Sequence, residues 1–223
     1  MFIVTLSGAR FDFEALATAQ VKVEDIAHAL SWINRFTGHA RFGFSVAAHS
    51  LAVADFLAYQ GESAQVQLGG LTHDAHEAYF GDIATPLKRY LDIDVPLRAL
   101  GIDQATIDAL LLNVRAREDA VQDTVAEKLG LDVRMMRCAA VKRADLLALY
   151  VERHALLPAD GPAESVWPML AGITPEMCIG MPAPERKHSP EDFTEMFLER
   201  FHRLYREVQA DRERTFNASA VAA

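Results

Sequence analysis

The stretch Gly70–Pro86, GLTHDAHEAYFGDIATP, places two histidines and three acids in an otherwise apolar helical pattern. His73 and Glu77 are four residues apart, and Asp74 and Glu77 are three apart. Those spacings bring side chains close together on one face of a helix. The stretch therefore predicts the end of a helix over Ser63–Tyr79 that carries a group of ionisable side chains on one side.

The same apolar periodicity recurs along most of the chain. It predicts helices over Val21–Trp32, Ser45–Tyr59, Ser63–Tyr79, Asp103–Leu129, Val133–Leu156 and Phe193–Arg212. A strand is expected only near the N-terminus, where Phe2–Leu6 pairs with Arg10–Phe13. Six prolines and three glycines make Asp160–Pro190 mostly loop. We therefore expect an all-α helical bundle with a short N-terminal β-hairpin.

Domain organisation is expected to be simple. The 223 residues allow one large domain. Its core is expected to span about residues 21–156, and residues 157–223 would add a loop and a C-terminal helix. We predict a single domain over 1–223.

Composition limits the function classes. The net charge is -9 and no run of Lys or Arg forms a basic tail, which disfavours a nucleic acid polymer as partner. Cys138 and Cys178 are far apart in sequence, which argues against a disulfide framework. A protein of the reducing cytosol fits this cysteine usage better. Neither a signal peptide nor a long apolar segment is evident, so we expect a cytoplasmic protein without a membrane span.

Two further polar residues interrupt apolar helices, His49 in VAAHSLAVA and Asp145 in VKRADLLALY. With His73 and Asp74 they make two histidines and two carboxylates from three predicted helices. Imidazole and carboxylate together suit a divalent transition metal, and a buried carboxylate is costly unless it is paired or bound to metal. Each residue also has a plainer explanation: His49 as a hydrogen-bonded core histidine, and Asp145 as an ion-pair partner of a neighbouring basic residue.

The order H…HD…D resembles the HD-domain metal-dependent phosphohydrolases. The match extends to several spaced blocks over roughly residues 25–150, and these blocks resemble the bacterial 5′-deoxyribonucleotidase branch and the phage dATP triphosphohydrolases. The blocks are Asn34-Arg35-Phe36, Ser45-Val46-Ala47-Ala48-His49-Ser50, His73-Asp74-Ala75-His76-Glu77, Gly81-Asp82 and Thr85-Pro86-Leu87-Lys88.

This resemblance implies a complete set of site residues. One divalent ion (Co, Mn, Fe, Zn or Mg) would be held by His49, His73, Asp74 and Asp145. Glu77 and Asp82 would act near the attacking water or the leaving oxygen, and Arg35 would hold the substrate phosphate, with Lys88 adding positive charge. The resemblance also implies a homodimer.

The implied reaction is hydrolysis of deoxynucleoside 5′-monophosphates. The segment FTGHARFGFSVAA departs from the pattern, because it adds His39 and Arg41, and a phosphate contact from His39 would favour a di- or triphosphate. Release of triphosphate from a dNTP, hydrolysis of a guanosine 3′-pyrophosphate and a non-catalytic nucleotide sensor remain the alternatives. Each of these residues also has a plainer, less favoured explanation: Glu77 as a solvated helix acid, Asp82 as a cap of the next turn and Arg35 as a surface arginine.

Overall fold

The computed structural model describes residues 1–91, 94–103, 106, 114–158 and 167–221. Over these residues the fold is all-α with a short N-terminal hairpin, as the sequence predicts. The strands are β1 (Phe2–Val4) and β2 (Arg10–Asp12). The helices are α1 (Val23–Trp32), α2 (Val46–Tyr59), α3 (Ala64–Thr72), α4 (Glu77–Phe80), α5 (Thr85–Leu91), α6 (Asp94–Ala99), α7 (Val114–Leu129), α8 (Val133–Met136), α9 (Ala139–Leu156) and α10 (Pro190–Val221).

The hairpin is antiparallel, with Ile3 opposite Phe11. Its strands are shorter than predicted, because the chain already turns at Gly8, whose positive φ of 78° suits a residue without a side chain. Phe11 is fully buried and stacks on Tyr79 of α4 with 3.9 Å between ring centroids. The hairpin is thereby packed against the turn that carries the ionisable group.

Serine residues begin three of the helices. Ser45 accepts a hydrogen bond from the backbone nitrogen of Ala48 at 3.2 Å and so caps α2, as expected. Ser63 caps α3 in the same way. At the start of α10, Ser189 and Asp192 exchange side-chain to backbone hydrogen bonds of 2.8 and 3.2 Å, a reciprocal cap that fixes where this helix begins.

Helix α2 runs through the middle of the fold. Its side chains contribute to three core clusters, shared mainly with α1, α3, α9 and α10. Phe197, Phe201 and Leu204 of α10 pack into the largest cluster, whereas Met196 is 37% exposed and lies outside it. Because α2 is buried on nearly every side, a polar residue on it must have a partner within the protein.

The continuous helices predicted over Ser63–Tyr79 and Val133–Leu156 are each broken in the structure. The first stops at Thr72, and residues 73–76 form tight turns with bonds such as Glu77 N to Asp74 O at 2.9 Å. The second is interrupted at Arg137 and Cys138. At the first break the hydrogen bonds join residues three apart, which places side chains three apart, such as those of Asp74 and Glu77, above one another. The candidate site lies at this break.

The remaining segments agree less closely with the elements predicted from the sequence. Residues 167–189 contain two short 3-10 turns, Pro168–Leu170 and Pro175–Cys178, and are otherwise loop, as predicted. Helix α10 is longer than the predicted Phe193–Arg212. Of the helix predicted over Asp103–Leu129, the portions at 104–105 and 107–113 lie outside the described residues, and α7 (Val114–Leu129) forms the rest of its C-terminal part. Within the described part of the chain, no helix combines the length and apolar character needed to cross a membrane.

Candidate metal centre

The centre begins with His49, which is fully buried in α2. Its Nδ1 lies 2.5 Å from Oε1 of Glu152 on α9. A carboxylate only accepts hydrogen bonds, so Nδ1 carries a proton, and Nε2 is the ring nitrogen that faces the other donor groups. The polar interruption of α2 is therefore a histidine oriented by a buried acid, with one ring nitrogen free to bind an ion.

His73 and Asp74 lie in the turn directly after α3. Nδ1 of His73 is 2.7 Å from the carbonyl oxygen of Gly70, which again leaves Nε2 as the free nitrogen. That nitrogen is 3.2 Å from Oδ2 of Asp74. Because the helix stops at Thr72, two adjacent residues face the same point, which they would not do on an ideal helix.

The four residues predicted as metal ligands lie close together here. Nε2 of His49 lies 3.3 Å from Nε2 of His73 and 3.1 Å from Oδ1 of Asp145, and the donor atoms of His49, His73 and Asp74 all lie within 4.8 Å of one another. Ligand atoms that share an ion at about 2.0–2.2 Å lie about 3 Å apart. The spacing and the two-nitrogen, two-oxygen chemistry therefore fit one divalent cation.

The histidines and the carboxylates of this group each favour the charged form of the other. Burial acts to raise the pKa of Asp74 and of Asp145, but the two histidines outweigh it and hold both pKa values below their ordinary range. Burial acts to lower the pKa of His73, but Asp74 and Asp145 raise it well above 6.5. Both acids are thus anionic at neutral pH, as metal ligands must be.

Arg35 lies beside the cluster and is buried. Its Nη1 is 3.9 Å from Oδ2 of Asp74, and its Nε donates to Oε2 of Glu152 at 2.9 Å. Burial acts to lower the pKa of Arg35, but the surrounding carboxylates, Glu152 first, raise it. The two residues that follow, Phe36 and Thr37, have left-handed backbone angles with φ of 57° and 53°, an uncommon conformation for residues other than glycine.

Glu77 and Asp82 form a second acidic group. Glu77 is buried, and its Oε2 has no hydrogen-bond partner among the described residues. Burial is the largest cause that raises the pKa of Glu77 well above its ordinary value, and the charges of Asp74 and Asp82 add to it. Burial likewise raises the pKa of Asp82, with Asp74 adding to the effect against Arg35. Buried carboxyl groups with raised pKa values beside other charged groups are candidates for proton transfer.

The other two predicted substrate residues are placed differently. Nζ of Lys88 lies 3.0 Å from Oε1 of the buried Glu118. The positive charge of Lys88 acts to lower the pKa of Glu77 and of Asp82. His39 is exposed at the end of the 3-10 turn Arg35–Gly38. Its contact with substrate stays a prediction.

Glu152 was not predicted from the sequence, although it joins His49 to Arg35. It lies seven residues after Asp145, a spacing of two turns that keeps both acids on one face of α9. Burial acts to raise its pKa, but His49 and Arg35 together lower it. The seven-residue spacing from Asp145 is the signal in the sequence that points to it.

An all-α fold with a His-His-Asp cluster that could hold a metal ion suggests a metal-dependent hydrolase. The chain is 34% identical over 204 residues to the uncharacterized protein YfdR of Escherichia coli strain K12, which covers 91% of this chain and 95% of YfdR. The chain belongs to the same protein family as YfdR. It is also 33% identical over 133 residues to an uncharacterized protein of Rhodobacter capsulatus, covering 56% of this chain and 68% of that protein. No protein-family model matches the chain.

Proposed function

We propose that this protein is a metal-dependent phosphohydrolase of the HD-domain type that hydrolyses deoxynucleoside 5′-monophosphates to nucleoside and phosphate. The observation that carries the proposal is the convergence of His49, His73, Asp74 and Asp145, with a buried arginine beside them. The resemblance of the sequence blocks to the 5′-deoxyribonucleotidases supports the substrate class.

The four converging residues would hold the ion. A divalent metal in such a site supplies a Lewis acid that polarises a phosphoryl oxygen and lowers the pKa of water. Arg35 would bind the phosphate, because its Nε is engaged by Glu152 and its terminal nitrogens lie on the side of Asp74. A guanidinium can make two parallel hydrogen bonds to phosphate oxygens and so fix its orientation.

Glu77 and Asp82 would handle the proton. The unpartnered Oε2 of Glu77 is buried close enough to Asp74 and Asp82 for their charges to raise its pKa. A carboxyl group with a raised pKa can take a proton from water or give one to the leaving oxygen. We assign the main proton transfer to Glu77, and the charge of Asp82 helps to raise the pKa of Glu77. Lys88 would add positive charge near the phosphate.

A turnover screen tests the proposal. Protein freed of metal with a chelator is reloaded with Mn, Co, Fe, Zn or Mg and given deoxynucleoside monophosphates, dNTPs and the matching ribonucleotides, with products separated by ion exchange. Inorganic phosphate from the deoxynucleoside monophosphates supports the proposal. Asp123→Asn, which alters only an exposed acid paired with Arg137, serves as the unaffected control.

One alternative has a structural observation in its favour. His39 and Arg41 are exposed on the loop that follows Arg35 and could extend a cationic surface towards a longer phosphate chain. Triphosphate released from dNTPs would favour a dNTP triphosphohydrolase over an enzyme that hydrolyses deoxynucleoside monophosphates. Nucleotide binding without any product would favour a sensor, and light scattering of the same sample would test the proposed homodimer.

A further inference from the structure

We infer that Glu152 is a positioning residue that couples the metal ligand His49 to the phosphate-binding residue Arg35 through its two carboxylate oxygens. The inference rests on the proposed function, because it assigns roles to two residues of that site. It adds a residue that neither the sequence motif nor the cluster of donor atoms contains.

The first oxygen fixes one metal ligand. Oε1 of Glu152 lies 2.5 Å from Nδ1 of His49, so the proton of the imidazole is held on Nδ1. Nε2 is then the nitrogen that faces Asp145 and His73, 3.1 and 3.3 Å away. Acceptors in this position fix the ring of a ligating histidine and raise its basicity.

The second oxygen fixes the arginine. Oε2 of Glu152 accepts from Nε of Arg35 at 2.9 Å. The guanidinium is planar, so a bond at Nε sets the plane in which the terminal nitrogens lie. One of them, Nη1, is 3.9 Å from Oδ2 of Asp74. The carboxylate of Glu152 therefore orients two groups. One is the guanidinium of Arg35, which would bind phosphate, and the other is Nε2 of His49, which would bind the metal ion.

The burial of Glu152 argues that this arrangement has a function. The side chain is 2% exposed, and a buried carboxylate is costly unless it is paired and hydrogen-bonded. Glu152 and Asp145 share one face of α9, so one rigid helix carries a metal ligand and the group that orients another. The partners of its two oxygens are a candidate metal ligand and the candidate phosphate-binding residue, rather than groups elsewhere in the core.

Substitution by glutamine separates positioning from simple packing. Glu152→Gln keeps the shape of the side chain but has one acceptor oxygen, while Nδ1 of His49 and Nε of Arg35 both donate. One of the two contacts must then fail. Asp25→Asn is the matched control, because Asp25 is also a buried acid held by hydrogen bonds, from Thr5 and Ser7.

The experiment measures Co²⁺ binding by calorimetry and by the visible absorption of the bound ion, with KM and kcat for the most active nucleotide. We expect Glu152→Gln to bind Co²⁺ about 10–100-fold more weakly and to raise KM, while Asp25→Asn lowers only the melting temperature. Unchanged Co²⁺ affinity and KM in Glu152→Gln would overturn the inference.

A second measurement needs no variant and covers the case in which Glu152→Gln does not fold. Proton–nitrogen NMR of the histidine rings in the Zn²⁺-loaded wild type should show the Nδ1 proton of His49 shifted far downfield by its short hydrogen bond to the carboxylate of Glu152. An Nδ1 proton without that shift would overturn the inference with the proposed function intact. Wild type that binds no metal would overturn the proposed function, and the inference with it.

Discussion

The ring of His73 is held by the helix that it follows, because its Nδ1 donates to the carbonyl oxygen of Gly70 across 2.7 Å. This bond leaves Nε2 facing Asp74 and His49, at 3.2 and 3.3 Å. The position of a metal-ligand candidate thus depends on the last turn of α3. A change that displaces that turn should move the ring and weaken metal binding.

Gly69 is the position at which such a change is most direct. A Cβ added there would lie 2.7 Å from the backbone carbon of Met135 and 2.8 Å from its oxygen, and backbone atoms cannot rotate aside. We expect Gly69→Ala to lower the free energy of unfolding by about 1–3 kcal/mol and to weaken Co²⁺ binding. Urea unfolding and calorimetry measure the two effects.

Gly70→Ala is the matched comparison one residue further on. Its Cβ would meet Cδ1 of Leu57 at 2.4 Å, which is the end of a side chain that can change rotamer. We expect a smaller loss of stability than for Gly69→Ala. Equal losses would show that close approach of α3 to the backbone of α8 does not control this region.

Asp74→Asn tests the metal centre. The substitution keeps the size of the side chain but removes the anionic donor that lies 3.2 Å from Nε2 of His73. Loss of an outer partner alone costs about 10–100-fold in metal affinity, so we expect a fall of more than about 100-fold, with activity lost and the helical circular dichroism unchanged. Retained Co²⁺ binding would remove Asp74 from the ligand set.

Glu77→Gln separates proton transfer from metal binding. Oε2 of Glu77 makes no hydrogen bond within the described residues, so an amide of the same shape should fit without loss of fold. Removal of a general acid or base lowers turnover by about 10²–10⁴-fold. We expect that loss in kcat, with Co²⁺ affinity within a few-fold of wild type. A variant that turns over near the wild-type rate would contradict the role of Glu77.

Local pattern was enough to predict most of the fold and the four converging donors. Ser45 and Ser189 mark helix starts by short-range hydrogen bonds, which sequence records directly. His49 and Asp145 are visible as polar interruptions of apolar helices, and the fully buried His49 must find a partner within the protein. Such features need no knowledge of which helices meet.

The parts that were missed depend on tertiary contact. Glu152 is separated by 117 residues from Arg35 and by 103 from His49, so no spacing in the sequence connects them. The break after Thr72 was also missed, since the residues from Thr72 to Glu77 are compatible with a helix and only the packed turn separates α3 from α4.

The strained turn after Arg35 provides a stability test. Thr37 is exposed and has φ of 53°, a conformation that is costly for a β-branched residue. We expect Thr37→Gly to raise the free energy of unfolding by about 0.5–1 kcal/mol, because relief of the left-handed backbone, worth about 1–2 kcal/mol, exceeds the entropic cost of a glycine, about 0.5–1 kcal/mol. Thr37→Ala keeps a Cβ and should gain less. Equal gains for both variants in urea unfolding would contradict backbone strain as the cause.

Acid stability should depend on Asp25, which ties the hairpin loop to α1. Burial acts to raise the pKa of Asp25, but hydrogen bonds from Ser7 and Thr5 outweigh it and hold the pKa below its ordinary value. A lowered folded-state pKa adds stability above the unfolded value of about 3.9, and that stability is lost as pH falls through the folded pKa. We therefore expect the free energy of unfolding to fall with pH below about 4 more steeply in wild type than in Asp25→Asn, measured by urea unfolding from pH 7 to 2.5. Parallel curves for the two proteins would show that the loop contacts of Asp25 contribute no pH-dependent stability.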